Sequence, residues 1–118
     1  MLTPVDSIKV HLACGATDMR KSIDSLAAIV THTFELDAFD ASLFVFYNRG
    51  RDKLKILRWD TNGFWLYYRR LERGRFRWPA SPAGQPVTIT RRQLSWLLDG
   101  LEIEQRRAHR PVEVRIAA

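Results

Sequence analysis

The stretch LFVFYNRGRDKLKILRWDTNGFWLYYRRLERGRFRWP, residues 43–79, decides the fold. It divides into short β-rich runs, LFVFYNR, KLKILRW and FWLYYRRL, each closed by a turn signal: NRGRD, DTNG and ERG. Runs of this length bounded by Gly, Asn and Asp predict three or four antiparallel strands in a meander. Asn62-Gly63 is expected to supply the positive φ angles of a tight hairpin turn, and Gly74 those of the next connection. Side chains alternate along a strand, so Lys53 and Lys55 are expected on one face, with Leu54 and Ile56 on the other. In RFRWP, Arg75 and Arg77 likewise oppose Phe76 and Trp78, and Pro79 stops the ladder. Phe76 and Trp78 therefore read as core. FWLYYRRL carries rings at both parities, Phe64 and Tyr68 against Trp65 and Tyr67, so one pair is expected on the outer face.

Upstream of this stretch, SIKVHLA alternates as a half-buried strand does, and Gly15 ends it. Met19, Ile23, Leu26, Val30 and Phe34 form one apolar stripe, which predicts a helix over about residues 18–32, capped by Thr17 with Asp18 in its first turn. Arg20 and Lys21 then fall in that first turn, where positive charge is mildly unfavourable against the helix dipole. Either a partner anion takes them, or Arg20 pairs with Asp18 or Asp24. Downstream, the linker PASPAGQP leads to a second helix. Thr90 and Gln93 have capping-box spacing there, Leu94, Leu97, Leu98 and Leu101 make the apolar face, and Gly100 marks the stop. The final PVEVRIA alternates again and reads as a strand returning to the sheet. The expectation is one α+β domain over residues 1–118: a mainly antiparallel β-sheet of four to six strands with two helices packed on one face.

Composition narrows the function classes. At 118 residues with 46% hydrophobic and 27% charged residues, the chain has enough apolar material for one folded core and too little for two. Its apolar runs are far below the roughly 20 residues that span a bilayer, and the N-terminal residues lack a secretion-signal pattern. A soluble, cytoplasmic protein without membrane contact is expected, and its single cysteine allows no internal disulfide. The histidines His11, His32 and His109 and Cys14 are scattered, so no metal site is expected. Asp52 and Asp60 have turn positions, no serine elbow or phosphate loop is present, and neither catalysis nor a cofactor is expected. Residues 48–78 hold ten bases against three acids, a net +7, whereas the rest of the chain sums to −1. A basic excess confined to one segment suggests a polyanionic partner; the alternative is a solvated face.

At TDMRKSIDSLAAIV, at the stretch quoted above and at LSWLLDGLEI, the sequence resembles the TnpB-type accessory protein, the second open reading frame product, of bacterial transposons of the insertion sequence 66 group. The matching positions are Thr17, Asp18, Met19, Arg20 and Lys21, then Asn48, Arg49, Lys55, Trp59, Asp60, Gly63, Trp65, Arg75, Phe76 and Trp78, then Leu97, Leu98 and Gly100. The resemblance runs from about Ile8 to Ile103 and implies participation in DNA transposition beside a separate, larger transposase. It assigns no catalytic residue.

Charge and resemblance together point to transposon-end DNA as partner. Arg49, Arg51, Lys53, Lys55, Arg69, Arg70, Arg75 and Arg77 are expected to hold the phosphate backbone, with Arg20 and Lys21 beside them. Trp65 or Tyr67 is expected to stack on unpaired bases. The same rings and arginines also suit a protein interface, so docking on the transposase or a homo-oligomer stays open, as does RNA.

Overall fold

The structure, a computed structural model, describes residues 8–81 and 84–103. Five strands form one sheet in the order β4-β3-β2-β1-β5: β1 (Lys9–Leu12), β2 (Ser42–Tyr47), β3 (Lys53–Asp60), β4 (Gly63–Arg70) and β5 (Val87–Ile89). Helix α1 (Ile23–Ala28) lies between β1 and β2, and α2 (Arg91–Leu98) follows β5. The α+β class and the mainly antiparallel sheet are as expected, with β2, β3 and β4 as the meander. β1 runs parallel to β2 because the intervening helix returns the chain to the same end of the sheet.

The expected packing of both helices on one face is corrected. Val10, Leu12, Leu43, Val45, Leu54, Ile56 and Ile89 bury against Leu94 and Leu97 of α2. Phe44, Phe46 and Leu57, of opposite parity, bury against Leu26 of α1 and Val30 just after it. A sheet whose central strands are apolar on both faces needs a cover on each, so the helices take one apiece. β1 is likewise buried on both faces. His11 stacks on Phe44 at 5.3 Å, its Nδ1 lies 3.1 Å from the Thr88 hydroxyl, and burial pushes its imidazole below the ordinary range.

The first helix starts at Ile23, five residues after the sequence pattern places it, with Ser22 rather than Thr17 at its N-cap. The cause is competition for the backbone groups of residues 19–21. The Asp18 carboxylate accepts from the Arg20 backbone N–H at 2.9 Å, and the Lys55 ammonium donates to the carbonyls of Met19 and Lys21 at 2.7 and 2.8 Å. Those carbonyls would otherwise serve the helical ladder. The apolar stripe survives the shift: Leu26 and Val30 are buried, and Met19, Ile23 and Phe34 pack on the same cluster. Beyond Ala28 the helix widens to a π-helical turn, with the Phe34 N–H bonded to the Ile29 carbonyl at 3.0 Å.

Three further expectations are adjusted. The positive φ of the β3–β4 turn is at Thr61 (54°), and Gly63 begins β4, whereas Gly74 (77°) behaves as expected. RFRWP forms no strand. Its alternation nevertheless holds, with Phe76 buried and Arg75 and Arg77 exposed, because the segment crosses the α2 face of the sheet. There the Phe76 N–H bonds to the Arg51 carbonyl at 2.7 Å, Trp78 packs on Tyr47 at 4.3 Å, and the indole N–H of Trp78 donates to the Ala13 carbonyl. Finally, the region before α2 contains the short strand β5, paired with β1. The capping box at Thr90 and Gln93 forms as expected, and Gly100 (φ 80°) follows α2. The strand expected at residues 111–117 lies outside the described residues.

Candidate nucleic-acid interface

The ladder between β3 and β4 sets the positions of most candidate residues. It pairs Lys53 with Arg70, Leu54 with Arg69, Lys55 with Tyr68, Ile56 with Tyr67, and Arg58 with Trp65. Lys53, Arg69 and Arg70 therefore all lie at the open end of the hairpin, away from its turn, Lys53 and Arg70 on the α1 face and Arg69 on the α2 face. The β2–β3 loop brings Arg49 and Arg51 to the same end. That loop is rigid for a reason in the sequence: the Asn48 amide donates to Asp52 at 2.7 Å, and its carbonyl oxygen accepts the backbone N–H groups of Asp52 and Lys53 at 3.1 and 2.9 Å. Arg51 takes a φ of 59° inside it. The chain then returns, with the Leu71 N–H bonded to the Asp52 carbonyl at 2.7 Å, which brings Arg73 and Arg75 alongside. Asp52 lies among these bases; its hydrogen bond from Asn48 first, then the charges of Lys53 and Arg75, hold its carboxyl below the usual range.

Not every expected base is equally free. Lys55 spends its ammonium on the Met19 and Lys21 carbonyls and sits 5.9 Å from the centre of the Tyr68 ring. Arg20 forms a two-pronged pair with Asp18, closest approach 2.7 Å, which takes the Asp18 carboxyl down to about 2; the Arg20 side-chain hydrogen bond is the largest cause. Arg70 pairs with Glu72 at 2.9 Å, and Arg77 lies 3.7 Å from Glu102. All of these pairs are exposed, and a competing phosphate can replace such partners at little loss. Arg49 and Arg69 make no ion pair among the described residues. Arg20 and Lys21 precede the Ser22 N-cap of α1 and so are not in its first turn, where the sequence pattern places them.

Residues 16–19 and the β2–β3 loop together enclose a cleft of about 400 Å³ lined by Thr17, Asp18, Met19, Asn48, Arg49 and Lys53. The Thr17 N–H, bonded to the Tyr47 carbonyl at 2.7 Å, joins its two walls. Two motifs about 30 residues apart in sequence are thus one surface.

The rings occupy a second area. Trp65 and Tyr67 lie on the α2 face of β4, stacked at 6.2 Å between centroids and 54% and 43% exposed. The Trp65 indole N–H donates to Asp60 at 3.2 Å, and an Arg58 guanidinium N–H lies 3.4 Å from the Tyr67 hydroxyl. Beside them a groove of about 330 Å³ runs to the start of α2, floored by Leu43, Ile56 and Leu94 and edged by Arg58, Tyr67 and Arg91. Arg58 and Arg91 are the bases that the sequence argument passed over. Parity with Leu54 and Ile56 could have found Arg58; nothing short of the fold brings Arg91 to it. Tyr68, on the other face, is 54% exposed, so rings reach solvent on both sides of β4. Among the described residues no group of His, Cys, Asp or Glu side chains could hold a metal ion, and no helix is long and apolar enough to cross a membrane.

Fold and site together define a small α+β domain whose basic side chains gather at one end of its sheet. The particular family follows from the sequence: the chain belongs to the family described as IS66 Orf2 like protein, whose model matches residues 8–108. Membership gives it a transposition-associated accessory role. Two proteins of Sinorhizobium fredii are similar to it and carry only the description of uncharacterized proteins. One, y4hO, is 40% identical over 102 residues, covering 86% of this chain and 88% of its own length. The other, y4jC, is 26% identical over 117 residues, covering 97% and 99%. No solved structure matches the chain.

Proposed function

We propose that this accessory protein contacts transposon DNA directly through the basic end of its sheet and carries no catalytic step of its own. Arg49, Arg51, Lys53, Arg70 and Arg75 hold phosphates, with Arg20 and Lys21 at the margin, while Arg69, on the ring face, is left for a different contact. Lys55 acts indirectly by fastening residues 19–21 to β3, and Arg77 is released from Glu102 when DNA arrives. Trp65 and Tyr67, next to Arg58 and Arg69, offer stacking area to any unpaired base. The observation that carries the reading is the convergence of bases from the β2–β3 loop, the open end of the hairpin and the 71–79 segment on one end of the sheet, with Asp52 and Glu72 the acids among them.

Binding of the purified protein to labelled transposon-end duplex and to a scrambled duplex, each titrated at several salt concentrations, tests it. A log–log slope of about −4 to −5 is expected, the value for roughly five neutralised phosphates. No binding at low salt overturns the assignment. Docking on the transposase is the second reading, favoured by the exposed Trp65–Tyr67 stack. It predicts a complex that forms without DNA and is lost on Trp65→Ala.

A further inference from the structure

Within one copy of the chain, nothing explains the glycine at position 63. Its φ is not in the left-handed region, since the turn's positive φ is at Thr61, and a Cβ added to it meets nothing within 4 Å. Glycine weakens a strand interior, and it often marks a place where another group passes close to the backbone. Gly63 lies at the start of β4, which is an edge of the sheet and runs for eight residues, whereas β5 at the other edge has three.

The open edge has a definite hydrogen-bonding phase. Asp60 and Gly63 close the hairpin around Thr61-Asn62. Residues 63, 65, 67 and 69 then bond toward β3, and the backbone groups of Phe64, Leu66, Tyr68 and Arg70 point outward. A second copy related by a two-fold axis through Leu66 meets this edge in phase. Leu66 then faces the partner's Leu66, Phe64 the partner's Tyr68, and Trp65 the partner's Tyr67. Gly63 faces the partner's Arg69. Opposed arginines do not occur, because the two copies of Arg69 are about 20 Å apart along the strands.

Asp60 is directly across from Gly63 on β3 and on the same face as Trp65, to which it is hydrogen bonded. The partner's Arg69 lies on that face too, about 9.5 Å from Asp60 at two strand spacings, with only the bare Gly63 backbone between. An arginine side chain crosses that distance. Asp60 accepts from Trp65 at 3.2 Å and from the Thr61 hydroxyl at 3.3 Å, and a carboxylate has room for further donors. Arg69 makes no ion pair among the described residues.

We propose that two copies pair antiparallel through β4, with Leu66 on the axis and each Arg69 crossing the lane above Gly63 to the other copy's Asp60. The sheet becomes ten-stranded, and the stacked rings continue across the axis.

Sedimentation equilibrium of the full chain reads the proposal. The unaltered protein is expected to dimerise. Asp60→Arg and Arg69→Asp are each expected to weaken the dimer about tenfold or more, and the two together to restore it to within about threefold, since the charges are exchanged in place. Gly63→Thr is expected to raise the melting temperature, as a β-former replacing glycine, while weakening the dimer by filling the lane. If Asp60→Arg fails to fold, Arg69→Asp and Gly63→Thr decide alone. A monomer throughout, a dimer indifferent to Arg69→Asp and Gly63→Thr, or a double variant no tighter than folded single ones overturns the pairing.

Discussion

The two ends of the β3–β4 hairpin are built from the same two strands and hold themselves together differently. At the turn end, Phe39, Trp59 and Phe64 form a ring cluster with centroids 4.9 to 5.5 Å apart. At the open end, Lys53, Arg69 and Arg70 lie near Arg49, Arg51 and Arg75, and order comes from the side-chain hydrogen bonds of Asn48, the backbone bonds of Arg51 and Asp52, and the buried Phe76. Like charges gathered in this way repel, and Asp52, Glu72 and the neutral contacts beneath them offset that repulsion. The turn end has side chains that attract one another directly. The lesson is that stability and binding are separable along one hairpin, and substitutions at each end should move one quantity more than the other.

Phe76→Ala has the largest expected effect, because Phe76 is where the two quantities join. It is fully buried and fastens the arginine segment to the sheet. Truncation should cost about 3–5 kcal/mol of stability, read by urea unfolding, and weaken DNA binding as Arg75 loses its position. Next comes charge reversal at the open end. Arg49→Glu with Arg75→Glu should lower DNA affinity by about tenfold or more and make the salt slope shallower by about 2, with urea stability nearly unchanged. Unchanged affinity would show that the basic end is only a solvated face. At the turn end, Phe39→Ala should remove about 0.5–1.5 kcal/mol of stability, its ring being 60% exposed yet in contact with both Trp59 and Phe64. DNA affinity should not move, and a fall there would end the separation of the two ends.

How far the sequence foretold this arrangement depends on how local each feature is. The meander, the core role of Phe76 and the Thr90 capping box follow from alternation and short-range hydrogen bonding, and those signals were legible. The start of α1 was not, because Lys55, over thirty residues away, takes the carbonyls that would have extended the helix. The division of the helices between two faces was present in LFVFY, where Leu43 and Val45 alternate with Phe44 and Phe46, but alternation of apolar with apolar residues is easily taken for a plain hydrophobic run. For the proposed interface, the +7 segment singles out β3, β4 and the loops beside them without showing which bases are already engaged. The Lys55 contacts and the pairing of Arg20 with Asp18 are tertiary or loop facts that charge counting does not see.

The smallest expected effect bears on the one turn feature that the sequence signal misassigned. Asn62-Gly63 suggested a turn with its positive φ at those residues, yet the chain puts Thr61 there at 54°, a conformation that β-branched residues rarely take. A left-handed backbone at a non-glycine residue costs about 1–2 kcal/mol, and glycine returns about 0.5–1 kcal/mol of that through its freer unfolded chain. Thr61→Gly should therefore raise stability by at most about 1 kcal/mol in urea unfolding, after loss of the long 3.3 Å bond from its hydroxyl to Asp60. DNA affinity should be unchanged, since the open end lies at the far side of the sheet. A loss of stability instead would mean that the Thr61 hydroxyl and Asp60 hold the turn more firmly than backbone strain opposes it. In that case the turn end, like the open end, owes its order to hydrogen bonds, and the contrast between the two would rest on the Phe39, Trp59 and Phe64 rings alone.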